Sequence, residues 1–291
     1  MDINVTMGNY VPKHKYLVCI DSDGCAFDTM EIKHKECFCP ATIDNWGLQA
    51  ISKYAREAWE YVNLYSKTRG INRFNALINV LDFLSARKEV KARNFKMPDY
   101  ESLCKWVETA PLLNNSELAK LAGDPVIDRT IEWSYDINRR VAKMVHDVPP
   151  FPVVRESLER LSEIADIVIV SATPREALLK EWHEHNLDQY VALLGAQEDG
   201  SKKEIINHIK HHYDSNKSIM IGDAPGDYDA ALSGGILFYP ICPNDEENSW
   251  QEFYSTVIDL FVSESYAGHE MEKRLDHFNQ CLPSTPPWTN R

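Results

Sequence analysis

The stretch that decides the fold is "YLVCIDSDGCAFDTM", residues 16–30. An apolar run of strand type, residues 16–20, passes directly into Asp21, Asp23 and Asp28, with Gly24 between the second and third aspartates. Carboxylates gathered at one strand end repel one another when ionised. The segment therefore implies either a bound cation or a carboxylate with unusual chemistry. A plain turn uses the same residue types, so "DSDG" alone does not separate these readings.

Three further strand-like runs lie downstream. "DIVIVSATP" (166–174) is rich in β-branched residues and is closed by Pro174; "SIMIGDAPGD" (218–227) and "ILFYP" (236–240) follow. Helical patterns separate them, "PREALLKEWHEH" with proline in its first turn and "KKEIINHIKHHY". This alternation predicts an α/β core: a Rossmann-like parallel sheet with helices on both faces. The segment 29–147 is different in kind, with no convincing strand. Tyr54, Ala55, Ala58, Trp59 and Val62 share one helical face, as do Phe74, Leu77, Ile78, Leu81 and Leu84. Asp124 and Pro125 read as the cap and first turn of another helix. The expected organisation is a discontinuous core of 11–28 and 148–291, interrupted by an all-helical domain at 29–147. "HDVPPFPVV" (146–154) forms the return hinge, because its prolines cannot continue a helix. The terminal "LPSTPPWTNR" reads as extended chain.

Bulk properties narrow the function. A length of 291 residues allows two domains, and a net charge of −13 argues against a nucleic-acid footprint. No apolar run reaches the length of a membrane span, and the first residues lack the apolar core of a signal peptide. Seven cysteines, an odd number, read as reduced thiols, so a soluble cytoplasmic protein is expected. "KHKECFCP" (33–40) offers His34, Cys37 and Cys39 but no partner pair to complete four metal ligands.

In an open parallel sheet, chemistry gathers beyond the carboxyl ends of the strands. Those ends carry Asp21, Ser22 and Asp23; Ser171 and Thr173; and Asp223 with Asp227. Lys202 and Lys203 open the helix leading to the third run. A calcium hand loop fails, since counting from Asp21 puts glycine fourth and Ile32 twelfth. No nucleotide P-loop is present. Magnesium fits better, held by Asp21, Asp223 and Asp227 and facing a substrate phosphate. A carboxylate so placed, beside a metal and facing a phosphoryl group, is a competent nucleophile. Asp23 lies two residues beyond Asp21, within reach of the leaving oxygen as general acid and then base. Ser171 can donate to a phosphoryl oxygen, and a lysine, Lys202 or Lys203, can neutralise developing charge.

These segments resemble the four motifs of the haloacid-dehalogenase-like (HAD) hydrolase superfamily. "DSDGCAFD" is similar to its DxDGTLxD first motif, "IVIVSATP" to the second, "SKKEI" to the lysine-bearing third and "IMIGDAPGDYDAA" to the GDxxxD fourth. The resemblance implies that Asp21 is the nucleophile and a metal ligand, and that Asp23 is the acid/base with its backbone carbonyl on the metal. It implies that Ser171 and Lys202 bind the phosphoryl group, and that Asp223 and Asp227 complete a Mg²⁺ site. Cys25 and Ala26 depart from the usual Thr and Leu. The helical insert resembles the family's mobile cap. Asp23 favours phosphoryl transfer from an ester, whose leaving alkoxide must receive a proton. A Mg²⁺-dependent phosphatase acting through an aspartyl-phosphate is therefore expected. The alternatives are a phosphomutase, a phosphonate-cleaving enzyme using Lys53 or Lys67, or a non-catalytic phospho-ligand sensor. The expected partner is a small phosphorylated metabolite such as a sugar phosphate. Arg69 and Arg73 in "YSKTRGINRF" (65–74) are the candidate readers of its non-phosphate part.

Overall fold

Five parallel strands carry the chemistry-bearing loops in the computed structural model, which describes residues 7–290. They are β1 (Tyr16–Ile20), β2 (Ala165–Val170), β3 (Leu193–Gly195), β4 (Ser218–Gly222) and β5 (Leu237–Pro240), in the order β3-β2-β1-β4-β5. Every strand residue is buried, as expected of a sheet covered on both faces. Side chains alternate between two apolar layers. Val18, Ile20, Ile167, Ile169, Ile219 and Ile221 enter one; Leu17, Cys19, Val168, Val170 and Met220 enter the other. The fold is thus the Rossmann-like α/β class with a large helical elaboration. The short strand β3 was not among the four runs expected from the sequence.

The chain forms two compact units, Met1–Thr29 with Asp147–Pro283, and Met30–His146 with Ser284–Arg291. The second unit is helical. Its longer helices are Ser52–Asn63, Arg73–Ala86, Glu101–Thr109 and Pro125–Met144. They enclose Trp59, Phe74, Leu77, Leu81 and Trp133. Asp124 caps the last of them, with Oδ1 accepting from the amides of Val126 at 2.8 Å and Ile127 at 3.2 Å. "KHKECFCP" lies on helical turns, where His34 accepts from Trp59 Nε1 at 3.2 Å and stacks on Phe38.

One boundary differs from the sequence expectation. Residues 284–291 group with the helical unit, not with the core, and they end in a 3₁₀ turn at Pro287–Asn290. The cause is Trp288. Its indole meets Tyr61 and Phe83 edge-on, with ring centroids 5.4 and 5.8 Å away, and lies 4.7 Å from the Arg87 guanidinium. Arg87 stacks on Tyr54 at 4.5 Å and pairs with Glu57 and Glu89. A buried cation in contact with two aromatic rings holds the terminal segment where a proline-rich tail alone would stay extended. Among the described residues, no helix is long and apolar enough to cross a membrane.

Candidate active site

The sheet register brings the candidate residues to one edge. Ile20 of β1 pairs with Ile169 of β2 and Ile221 of β4, so Asp21, Ser171 and Asp223 stand one or two residues beyond the same level. The Asp21 amide donates to Ile221 O at 3.0 Å, which fixes the exit of β1 against β4. The chain then closes into a tight loop. The amides of Cys25, Ala26 and Phe27 all donate to Ser22 O, and Gly24 adopts φ 76°, a conformation glycine takes without strain. Cys25 and Ala26, the two departures from the family pattern, are completely buried. Cys25 Sγ reaches Ile221 O at 3.6 Å, and its carbonyl accepts from Trp250 Nε1 at 2.7 Å. Local packing thus accommodates both residues without opening the loop.

Asp227 is placed by a second device. It lies in the first turn of the helix Pro225–Gly234, and its Oδ2 accepts from the Ala224 amide at 3.0 Å, satisfying one orphan donor. A Cβ at position 222 would fall 2.3 Å from Asp227 Cβ, so only glycine lets this carboxylate tuck against the end of β4. Lys202 comes from the helix Lys202–Ile209, whose start is fixed by a reciprocal Ser201–Glu204 capping box. Its Nζ lies 2.7 Å from Asp21 Oδ2 and 2.6 Å from Asp227 Oδ1. Lys203 is exposed.

Carboxylate oxygens of Asp21, Asp223 and Asp227 lie within 4.8 Å of one another, and all three residues are buried. Burial pushes the Asp21 carboxyl up; Lys202 opposes that shift, while Asp227 and Asp223 reinforce it, leaving Asp21 well above the usual range. Lys202 stays cationic: its two carboxylate partners outweigh its own desolvation. With all three carboxylates ionised, one ammonium leaves two negative charges, the deficit a divalent cation neutralises; such a cation would also oppose the upward shift of Asp21. The donors are hard oxygens, which suit Mg²⁺ and not a thiophilic ion.

Asp23 is oriented through both carboxylate oxygens. Thr29 Oγ1 donates to Oδ1 at 2.5 Å and Thr173 Oγ1 to Oδ2 at 2.8 Å. Thr29 did not stand out in the sequence, and Thr173 stood there only as a strand-end residue beside Ser171, with no role assigned. Ser171 is buried, with its amide bonded to Gly195 O at 3.0 Å and its Oγ accepting from the Thr173 amide at 3.2 Å. Asp28 is exposed. The two arginines lie in the helical unit. Arg69 is buried, and its Nη1 donates to Leu64 O at 2.9 Å. Arg73 donates to Asn138 Oδ1 at 2.8 Å and Ser134 Oγ at 3.3 Å, with its guanidinium 5.3 Å from the Phe38 ring.

A family model described as haloacid dehalogenase-like hydrolase matches residues 100–240, a span that holds the second, third and fourth motifs. No curated protein matches the chain. Among solved structures, it is similar to a haloacid dehalogenase-like family hydrolase from Streptococcus pneumoniae, at 15% identity over 81% of this chain and 90% of that one, with a TM-score of 0.45. It is also similar to a HAD hydrolase of family IA, variant 3, from Entamoeba histolytica, at 13% identity over 85% and 88%, TM-score 0.47. Over residues 100–240 the chain is thus similar to the haloacid dehalogenase-like hydrolases.

Proposed function

We propose that the protein is a Mg²⁺-dependent phosphatase acting on a small polar phosphate monoester through an aspartyl-phosphate on Asp21. The observation that carries this reading is Lys202 Nζ held between Asp21 and Asp227, with the Asp223 carboxylate in the same cluster. Asp21, Asp223 and Asp227 would hold the ion together with the Asp23 carbonyl; when bound, it supplies charge neutralisation at the phosphoryl oxygens and orients Asp21.

An Asp21 carboxylate oxygen attacks phosphorus, the ester P–O bond breaks, and Asp23 delivers its proton to the departing oxygen. Asp23 then accepts a proton from water, which attacks the same phosphorus. The Asp21 acyl-phosphate bond breaks and inorganic phosphate leaves. Lys202 and the Ser171 hydroxyl neutralise and hold the phosphoryl oxygens through both steps.

Lys53 and Lys67 are exposed, whereas a Schiff-base lysine needs a desolvated site, which disfavours phosphonate cleavage. For the non-phosphate part of the substrate we favour Arg73 over Arg69. Arg73 spans polar side chains at a helix start, while Arg69 holds the backbone of its own loop. The test is phosphate release across a panel of metabolite esters with Mg²⁺ present. Multiple turnover that Asp21→Asn abolishes supports the reading. Tight binding without release would make the protein a sensor, and isomerised ester in place of phosphate would make it a mutase.

A further inference from the structure

Cys242, His277 and Cys281 form a second cluster of ligand-type side chains in the α/β unit, chemically unlike the aspartate site. Cys242 follows β5 in "YPICPN" and is buried. His277 and Cys281 lie four residues apart on the helix His269–Cys281, so both project from one helical face. That helix packs against β5, with Phe278 meeting Phe238 at 6.0 Å. Its register therefore carries His277 and Cys281 to the residue that leaves the edge strand. The three ligand atoms lie within 4.8 Å of one another, and Cys281 Sγ is 3.8 Å from His277 Nε2. Zinc bonds of about 2.3 Å to sulfur and 2.0–2.1 Å to nitrogen put tetrahedral ligands roughly 3.5–3.8 Å apart. The Cys281–His277 pair is at that spacing already.

We propose that Cys242, His277 and Cys281 bind one zinc ion, leaving the fourth tetrahedral position open to solvent on the exposed His277 side. Two thiolates and an imidazole select Zn²⁺ over the Mg²⁺ favoured by hard oxygen donors. Asp245 and Glu246 add negative potential at Cys281, which favours a cation there. Zinc binds cysteine as the thiolate, so uptake releases protons and must weaken as pH falls. The consequence is a clamp fixing the C-terminal helix of the core to β5.

The full chain, reduced and stripped with chelator, is titrated with Co²⁺ in excess Mg²⁺, which occupies the carboxylate site. One equivalent should produce thiolate-to-cobalt charge-transfer absorption and the intense visible bands of a tetrahedral ion, both displaced by Zn²⁺. Cys281→Ser, and His277→Ala on the exposed helix face, should each weaken uptake by more than the roughly 10–100-fold that losing an outer-shell partner costs. Zn²⁺ should raise the melting temperature of the native chain and not that of His277→Ala. Cobalt uptake without charge transfer, or bands unchanged in His277→Ala, would overturn the proposal. So would a Cys242–Cys281 disulfide that forms readily while the reduced chain takes up no metal.

Discussion

Thr173 Oγ1 donates a 2.8 Å hydrogen bond to Asp23 Oδ2, tying the loop after β2 to the loop after β1. Thr29 holds the other carboxylate oxygen at 2.5 Å, so Asp23 has little freedom to rotate. Thr173→Val should lower kcat by part of the roughly 10²–10⁴-fold that general acid/base catalysis supplies, while Thr173→Ser restores it. The loss should be larger for alkyl esters than for nitrophenyl phosphate. Equal losses on both would assign the hydroxyl to folding alone, which a thermal melt of the same variants checks independently.

Asp21→Asn should remove both turnover and covalent labelling by phosphate. Asp23→Ala should slow alkyl esters far more than nitrophenyl phosphate, because only the poor leaving group needs the proton. Acid-quench trapping of phosphoenzyme and a leaving-group series read these outcomes separately. A flat dependence on leaving-group pKa in Asp23→Ala would remove Asp23 from the proton-donor role.

Lys202→Met leaves the buried Asp21, Asp223 and Asp227 without their cation. In chelator the variant should lose on the order of 3–5 kcal/mol of stability, the usual cost of breaking a buried pair from one side. Mg²⁺ should recover much of that loss, since it supplies the missing charge, and it should also raise the melting temperature of the native chain. Denaturant melts with and without Mg²⁺ make the comparison; no Mg²⁺ effect on either chain would argue against metal at these carboxylates.

Asp166 gives a pH-dependent stability. Burial pushes its carboxyl up, but donors from the His14 amide at 3.0 Å, the Tyr213 hydroxyl at 2.7 Å and the Lys13 amide at 2.9 Å outweigh burial and hold it below the usual range. A folded-state value below the unfolded one stabilises the fold above the unfolded pKa of about 3.9. That stabilisation is lost as pH falls through the lower, folded value. Asp166→Asn should cost on the order of 1–3 kcal/mol at neutral pH and flatten the acid limb of a stability–pH curve. An acid limb identical to that of the native chain would contradict this.

Arg73→Ala should raise KM for the natural ester and leave a minimal aryl phosphate nearly unaffected. Arg69→Ala, which frees the Leu64 carbonyl, should lower the melting temperature instead. If Arg73→Ala slows both substrates alike, the arginine serves the fold and not recognition.

The aspartate constellation was legible in the sequence because strand periodicity and register together determine which residues emerge at one sheet edge. Asp21, Ser171 and Asp223 needed nothing more than that. Lys202 was separable from Lys203 by helix phase, since one turn buries Ile205 and Ile206 and presents Lys202 to Asp21. The strand β3 was missed because three residues carry too little periodicity, and its "LLG" reads equally as the end of a helix. Thr29 and Thr173 were missed as orienting groups because hydroxyl partners come from chain segments far apart in sequence. The terminal segment was misread for a related reason. Proline content describes a chain locally, whereas Trp288 is placed by Arg87, Tyr61 and Phe83, which no local pattern reveals.

That tail alters what excision can achieve. The backbone passes between the two units after Thr29, after His146 and again after Pro283. A protease must therefore cut three linkers, not two, to break every covalent connection between the units, since any two nicks leave one intact. A fragment of residues 30–146 made alone would keep the Tyr54 ring against the Arg87 guanidinium but lose that of Trp288. Supplying residues 284–290 as a separate peptide should complement such a fragment, so that this segment behaves as a detachable part of the helical unit.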